Sequence, residues 1–218
     1  MKEATRSDQT FRSEMIRKGI HLSSIVIPVL YFLTPRETAL LITASLTVLA
    51  LIVDLGRYYY SPFASRFNII FGGLLRRHES DPSAKRLNGG TYVLIAATLS
   101  ILIFPKLIAI TAFIILIVSD LAAALVGRKF GRRPFLGKSL EGSLAFFLSG
   151  LAVIAATPKI DYSAGEYAIG VFAMLVGTVI EALPVDIDDN VSVPLSVGLA
   201  MWGGYALFCP MMDLYKFG

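Results

Sequence analysis

An aspartate stands where a bilayer-length apolar run would exclude one. Asp120 interrupts "KLIAITAFIILIVSDLAAALV" about one and a half helical turns from the end of that run. An ionised carboxylate at such depth is costly unless it meets a cation, water or a partner. A structural hydrogen bond to a neighbouring helix would satisfy it, but the residues after Asp120 favour chemistry. Ala124, Gly127 and Gly131 share one helical face with Asp120. Beyond the acid, that face has almost no side-chain bulk. Such a face serves either close helix packing or the approach of a phosphate to the backbone. With Arg128 and Lys129 beside it, the second reading makes Asp120 a ligand of Mg²⁺, which takes one or two carboxylates plus phosphate oxygens.

The next block, "GRRPFLGKSLEGS" from Gly131 to Ser143, ends in Gly-Lys-Ser, as a nucleotide-phosphate loop does. That loop needs four residues between its first glycine and Gly-Lys-Ser. Here there are five, Arg132 to Leu136. Pro134, one of them, lacks the amide donor that a phosphate cradle uses. The preceding segment is also far too long and apolar to be the strand from which such a loop hangs, so a soluble nucleoside triphosphatase is excluded. Lys138, between Gly137 and Ser139, can still neutralise phosphate charge. Ser139 can donate to an anion or cap the next helix, whose first amides favour negative charge. Glu141, just ahead of Gly142, is either a second metal ligand or an acid in a first helical turn, where it is stabilising in any case.

Three smaller clusters complete the inventory. "EALPVDIDDN", Glu181 to Asn190, carries four carboxylates and an amide. It is a solvated acidic turn or a set of oxygen donors for Mg²⁺, with Asp188, Asp189 and Asn190 as the ligands. Glu181 still lies within apolar sequence and falls under the intramembrane-acid rule. In "EMIRKGIHL", Glu14, Arg17 or Lys18, and His21 share a face, as a salt bridge or, for His21, as a proton acceptor. "KRLNGGTYVL" sets Lys85 and Asn88 at the mouth of another apolar segment, and Asp54 and Arg57 close the one before it, where they pair or cap.

The elements that position these residues are membrane helices. Hydrophobic residues make up 55% of the 218, and mean hydropathy is +0.68, a composition that belongs in a bilayer. Seven segments span or nearly span, approximately 18–33, 37–53, 89–104, 106–126, 143–157, 167–183 and 193–208. The first lies too far from the start, and lacks the cleavage site, to be a signal peptide. Sixteen Lys and Arg fall in the N-terminal tail and the second-to-third and fourth-to-fifth connections; only Arg36, Lys106, Lys159 and Lys216 fall on the other side. The bias predicts a cytoplasmic N-terminus and an odd number of spans. The expectation is thus an all-α polytopic membrane protein, residues 1–218 forming a single transmembrane catalytic domain with 1–17 as a cytoplasmic segment. A further amphipathic helix is expected over 61–78, with Ser61 as N-cap and Pro62 in its first turn. It either lies in the headgroup layer or packs on the bundle. The net charge of +4 needs no nucleic-acid partner, because lipid headgroups and nucleotide phosphates suffice. The lone Cys209 has no companion for a disulfide or a metal.

This topology gathers five polar clusters at the cytoplasmic membrane face, where a water-soluble polyanion could meet a lipid headgroup. A small seven-helix transporter also needs intramembrane acids, but it places them near the midplane between repeats. "SDLAAALVGRKFGRRPFLGKSLEGSLAFF", "EMIRKGIH", "LNGGTYVL" and the late "IDDN" resemble the CTP-dependent lipid-alcohol kinases: dolichol kinase, phytol kinase and the yeast-type diacylglycerol kinase. The resemblance runs from about Glu14 to Asn190. It implies transfer of the CTP γ-phosphate to a membrane alcohol with Mg²⁺ or a related divalent ion. It further implies that Arg17, Lys18, Asp120, Gly127, Lys138 and Glu141 belong to the working site. The Asp120–Ser143 block also resembles phosphatidate cytidylyltransferase, but "PVDIDDNVSVP" lacks the basic residues of that enzyme's C-terminal signature. On this reading Asp120 with Asp188 or Asp189 holds the metal, while Lys138 and Arg128 hold phosphates. Asn88 and Ser139 orient the nucleotide, and Asp188, Asp189 or His21 takes the alcohol's proton.

Overall fold

A computed structural model describes residues 16–71 and 87–216 of the chain. Among these described residues, eight helices and one short hairpin succeed one another. They are α1 (Ile16–Leu33), α2 (Arg36–Tyr59), α3 (Ser61–Phe71), α4 (Gly89–Ile103), α5 (Lys106–Phe130), the hairpin β1 (Pro134–Phe135) and β2 (Lys138–Ser139), α6 (Leu140–Ala156), α7 (Ala164–Ala182) and α8 (Asp189–Phe208).

The protein is mostly helical, and five of the described helices are long and apolar enough to cross a membrane: α1, α2, α5, α7 and α8. The expected third and fifth spans are apolar helices of only 15 and 17 residues, α4 and α6. At 1.5 Å per residue, α4 rises about 23 Å, short of a hydrocarbon core of about 30 Å.

The centre of the bundle is α5. Its residues 107–117 are almost all buried, and Ile115, Leu116 and Ile117 are completely so. A helix that is apolar on every side has no face to offer to water, and α6, α8, α4 and α1 surround it. By contrast α1 buries little of its surface and α2 leaves Leu41, Ile42, Leu49 and Ile52 more than half exposed, as lipid-facing helices do. Glycines bring the inner helices close. A methyl on Gly198 would meet the Phe104 ring at 2.4 Å, and one on Gly177 would meet Val197 at 2.5 Å. Without a hydrophobic force between helices in lipid, this small-residue packing supplies the contact.

Two helix irregularities have simple causes. In α1 the amides of Ser24 and Ile25 bond three residues back, to His21 and Leu22. Pro28 comes next in the same helix, and its ring obstructs the carbonyl of Ser24. In α8, Pro194 cannot donate to the carbonyl of Asn190. Helix α3 begins at Ser61, with Tyr60 in the capping place: the amides of Phe63 and Ala64 bond to the Tyr60 carbonyl. It packs on α2 through Phe63, beside Gly56, and through Phe67, over whose ring the Arg57 guanidinium lies at 4.5 Å, while Ile69 is exposed. Residues 72–78 of the expected interfacial helix lie outside the described residues.

Candidate functional site

Every polar cluster expected at the inner face, apart from its parts outside the described residues, lies at one end of the bundle. That end holds the start of α1, α4, α6 and α8 and the finish of α2, α5 and α7. Lys18 Nζ on α1 donates to Asp120 Oδ2 on α5 at 2.5 Å, and His21 Nε2 lies 3.6 Å from the same oxygen. Asp120 also feels the charge of Lys138. Lys138, on β2, donates to Glu181 Oε1 at 2.5 Å and to Asp189 Oδ2 at 2.7 Å. Glu181 and Asp189 in turn each feel the charge of Asp120. Two lysines and three acids, with His21 beside them, therefore form one electrostatic unit drawn from α1, α5, the hairpin, α7 and α8. Burial opposes the Lys138 ammonium, but Asp189 and Glu181 outweigh that and raise its pKa above the ordinary value.

The hairpin explains how Lys138 reaches two helices. Pro134 pairs with Ser139 and Phe135 with Lys138, leaving Leu136 and Gly137 as the turn. The Gly137 amide bonds to the Ala182 carbonyl at 2.8 Å, and a methyl on Gly137 would meet Pro184 at 3.0 Å. Glycine lets the turn dock closely on the end of α7, and from that turn Lys138 reaches Glu181. Leu136 takes the left-handed region, φ 51°, a conformation that costs a leucine about 1–2 kcal/mol.

Several predicted residues build this frame. Ser139 caps α6, its Oγ accepting from the Gly142 amide at 3.2 Å. Glu141 Oε2 accepts from the amides of Arg132 and Arg133 at 3.0 and 3.3 Å, which fixes the strand leading into the hairpin. The small face of α5 meets the start of α6. Methyls on Gly127, Gly131 and Gly142 would all fall within 3.1 Å of Ser139 Oγ. Close helix packing is therefore what these glycines permit here; Ala124 on the same face is half-buried, and Arg128 is exposed. Asp188 caps α8 through Oδ1, which accepts from the Asn190 amide and from Asn190 Nδ2 at 2.6 Å. Arg17 is half-buried on α1. Lys85 lies outside the described residues.

Asn88 belongs to a second constellation at the same end. Its Oδ1 caps α4 by accepting from the Thr91 amide, while its own amide and Nδ2 donate to Asp54. Asp54 is fully buried and also accepts from Arg57 Nη1 at 2.8 Å and Thr91 Oγ1 at 2.7 Å. Thr91 was not legible in the sequence: its bond to Asn88 is made by its backbone amide, and its hydroxyl reaches Asp54 on another helix.

One acid oxygen is left over. Glu181 Oε2 is buried and accepts no hydrogen bond among the described residues, a costly state for a charged group. No three His, Cys, Asp or Glu among the described residues are gathered as a preformed metal cage.

Comparison with known proteins then places the chain. It is 31% identical over 195 residues to the uncharacterized protein RP860 of Rickettsia prowazekii, an alignment covering 88% of this chain and 95% of that one. The chain belongs to the family of RP860. It is also similar to a probable chloroplastic phytol kinase 1 of rice, at 34% identity over 141 residues, 56% of this chain and 45% of the rice protein. A third relative is the CTP-dependent diacylglycerol kinase 1 of Schizosaccharomyces pombe, at 33% over 101 residues, 45% of this chain and 44% of the yeast protein. The alignments thus span less than half the length of either kinase. No family model matches the chain, and no solved structure matches it.

Proposed function

We propose that this protein is a lipid kinase that moves the γ-phosphate of CTP to the hydroxyl of a membrane alcohol of the polyprenol, dolichol, phytol or diacylglycerol type. The observation that carries the reading is the Lys18–Asp120 and Lys138–Glu181–Asp189 network at one end of a membrane bundle. Two ammonium groups held by acids are groups that a polyphosphate can take over. All seven apolar helices lie in the bilayer on this reading, and the arginine and lysine bias turns the Asp120 end to the cytoplasm.

Lys18 and Lys138, with Arg17 and Arg128 nearby in sequence, bind the triphosphate and neutralise its charge. Asp120 and Asp189 would be the residues to hold Mg²⁺, and the Glu181 oxygen that accepts no hydrogen bond among the described residues fits the same demand for a cation. The metal supplies charge neutralisation on the transferring phosphoryl group. The acceptor oxygen attacks the γ-phosphorus, the bond to the β–γ bridging oxygen breaks, and CDP leaves with that electron pair. Asp188 is committed to capping α8, so Asp189 or His21 receives the acceptor's proton.

Purified protein in lipid, given γ-labelled CTP, Mg²⁺ and a panel of membrane alcohols, tests the reading. Label on the lipid supports it. With phosphatidic acid and α-labelled CTP, label in a CDP-lipid would instead establish a cytidylyltransferase. Absence of label in both experiments would overturn the kinase reading.

A further inference from the structure

We infer that the Pro134–Ser139 hairpin and the Pro184–Ile187 turn beside it form a surface that docks on anionic lipid headgroups. The inference is independent of the kinase reading. It starts from lengths: α5 has 25 residues and rises about 38 Å, some 8 Å beyond a hydrocarbon core of about 30 Å. Its apolar stretch, residues 107–126, spans that core; Gly127 to Phe130 therefore enter the headgroup layer, and the hairpin begins there. Helices α7 and α8, of 19 and 20 residues, rise only about 28 and 30 Å. The turn between them thus sits at the hydrocarbon boundary.

The surface at that depth is both cationic and greasy. Lys129, Arg132 and Arg133 are exposed. So are Phe130 at 54%, Leu136 at 55%, Val185 at 48% and Ile187 at 61%. The Gly137–Ala182 hydrogen bond holds the hairpin tip against Pro184, which sets Leu136 beside the turn that carries Val185 and Ile187. Asp186 is the one exposed acid on that turn, so cations predominate. Glu141 accepts from the backbone amides of Arg132 and Arg133, and both arginines remain exposed. Aliphatic tips flanked by arginine and lysine match a layer of phosphates over acyl chains.

The test uses the full chain in nanodiscs of phosphatidylcholine with or without phosphatidylglycerol, with the native Trp202 replaced by phenylalanine. A single indole is introduced by Leu136→Trp or, separately, by Ile187→Trp, so that misfolding of one variant leaves the other to decide. The expected result is a blue-shifted emission, shielding from acrylamide, and quenching by spin-labelled headgroups, all stronger with phosphatidylglycerol. Replacing Arg132 and Arg133 with glutamine should remove the phosphatidylglycerol dependence. An indole open to acrylamide and untouched by spin-labelled lipid in both variants overturns the inference. Shielding that appears only with added CTP overturns it too, because the surface would then be a wall of a nucleotide site. Shielding that depends on two copies per disc overturns it in favour of a contact between copies.

Discussion

Arg36, Lys106 and Lys159, at the end of the bundle opposite Asp120, all donate to the backbone. Arg36 reaches the carbonyls of Ile101 and Leu102, Lys106 that of Thr34, and Lys159 those of Ile154 and Thr157. These are helix-end carbonyls with no helical donor, and the cations satisfy them while complementing the dipole. The buried acid at that end is equally settled: Glu166 accepts from the amides of Ile160, Asp161 and Ser163 and from the Tyr205 hydroxyl. At the Asp120 end Lys18 and Lys138 pair with side-chain carboxylates, and Glu181 keeps an oxygen unused. A carbonyl fixed in a helix has no other cation to turn to, whereas a carboxylate on a side chain can exchange a lysine for a metal ion. One end is built to stay closed, and the other can exchange partners.

The largest effect that would break this contrast is on transfer. Asp120→Asn should lower phosphoryl transfer at least about 100-fold, the scale of losing one electrostatic contact to a transition state, while the purified protein melts within a few degrees of wild type. Labelled-CTP turnover and a thermal melt read the two. Wild-type turnover in the variant would sink the metal-site assignment.

The same change of chemistry at the two ends sharpens the comparison further. Glu166→Gln leaves one backbone amide facing another donor inside the fold and should cost about 1–3 kcal/mol of stability, with the KM for CTP unchanged. Glu181→Gln should leave the melt close to wild type and reduce transfer by roughly 10-fold, about 1.4 kcal/mol in the barrier. If the two variants exchanged phenotypes, the functional end would have been misidentified. A smaller loss, about 1 kcal/mol from overpacking, is expected for Gly142→Ala, because the added methyl meets the Ala123 carbonyl at 3.2 Å and Gly127 Cα at 3.3 Å. Urea unfolding in mixed micelles measures it.

How much of this could be read from the chain differed between the two ends. Asp120 and Glu181 were legible because an acid in apolar sequence has few innocent explanations, Lys138 because it stands in Gly-Lys-Ser, and Asp189 because it stands in an acidic turn between two apolar segments; their company at one end stems from the alternation of those segments. Helices α4 and α6 were legible as short apolar segments, expected at 89–104 and 143–157; the start of α6 was placed three residues late, because Ser139 caps the helix ahead of Leu140. The role of Gly127 and Gly131 stayed open in the sequence for a plain reason: a smooth helix face looks the same whether a phosphate or Ser139 fills it. Lys159 and Glu166 looked like loop residues. Their partners are backbone groups, which carry no residue type and leave no motif.

The mildest prediction concerns alkaline pH, where the two ends titrate with opposite sign. Lys159 is buried, and burial holds its ammonium below the ordinary value of 10.5 although the Glu166 carboxylate opposes this. Between its folded and unfolded pKa the unfolded chain binds more protons, so its contribution to stability rises with pH in a window ending near 10.5. Lys138 behaves the other way. Its pKa is raised above 10.5 by Asp189 and Glu181 in spite of burial. Its contribution is whole below 10.5 and is lost as pH climbs through the folded value. Melts taken from neutral to strongly alkaline pH should therefore show a rise that Lys159→Met flattens, then a fall that Lys138→Met flattens. A fall above 10.5 that Lys138→Met leaves intact would mean that Asp189 and Glu181 do not hold the lysine, and that the exchangeable pair proposed for the open end is already broken in the resting protein.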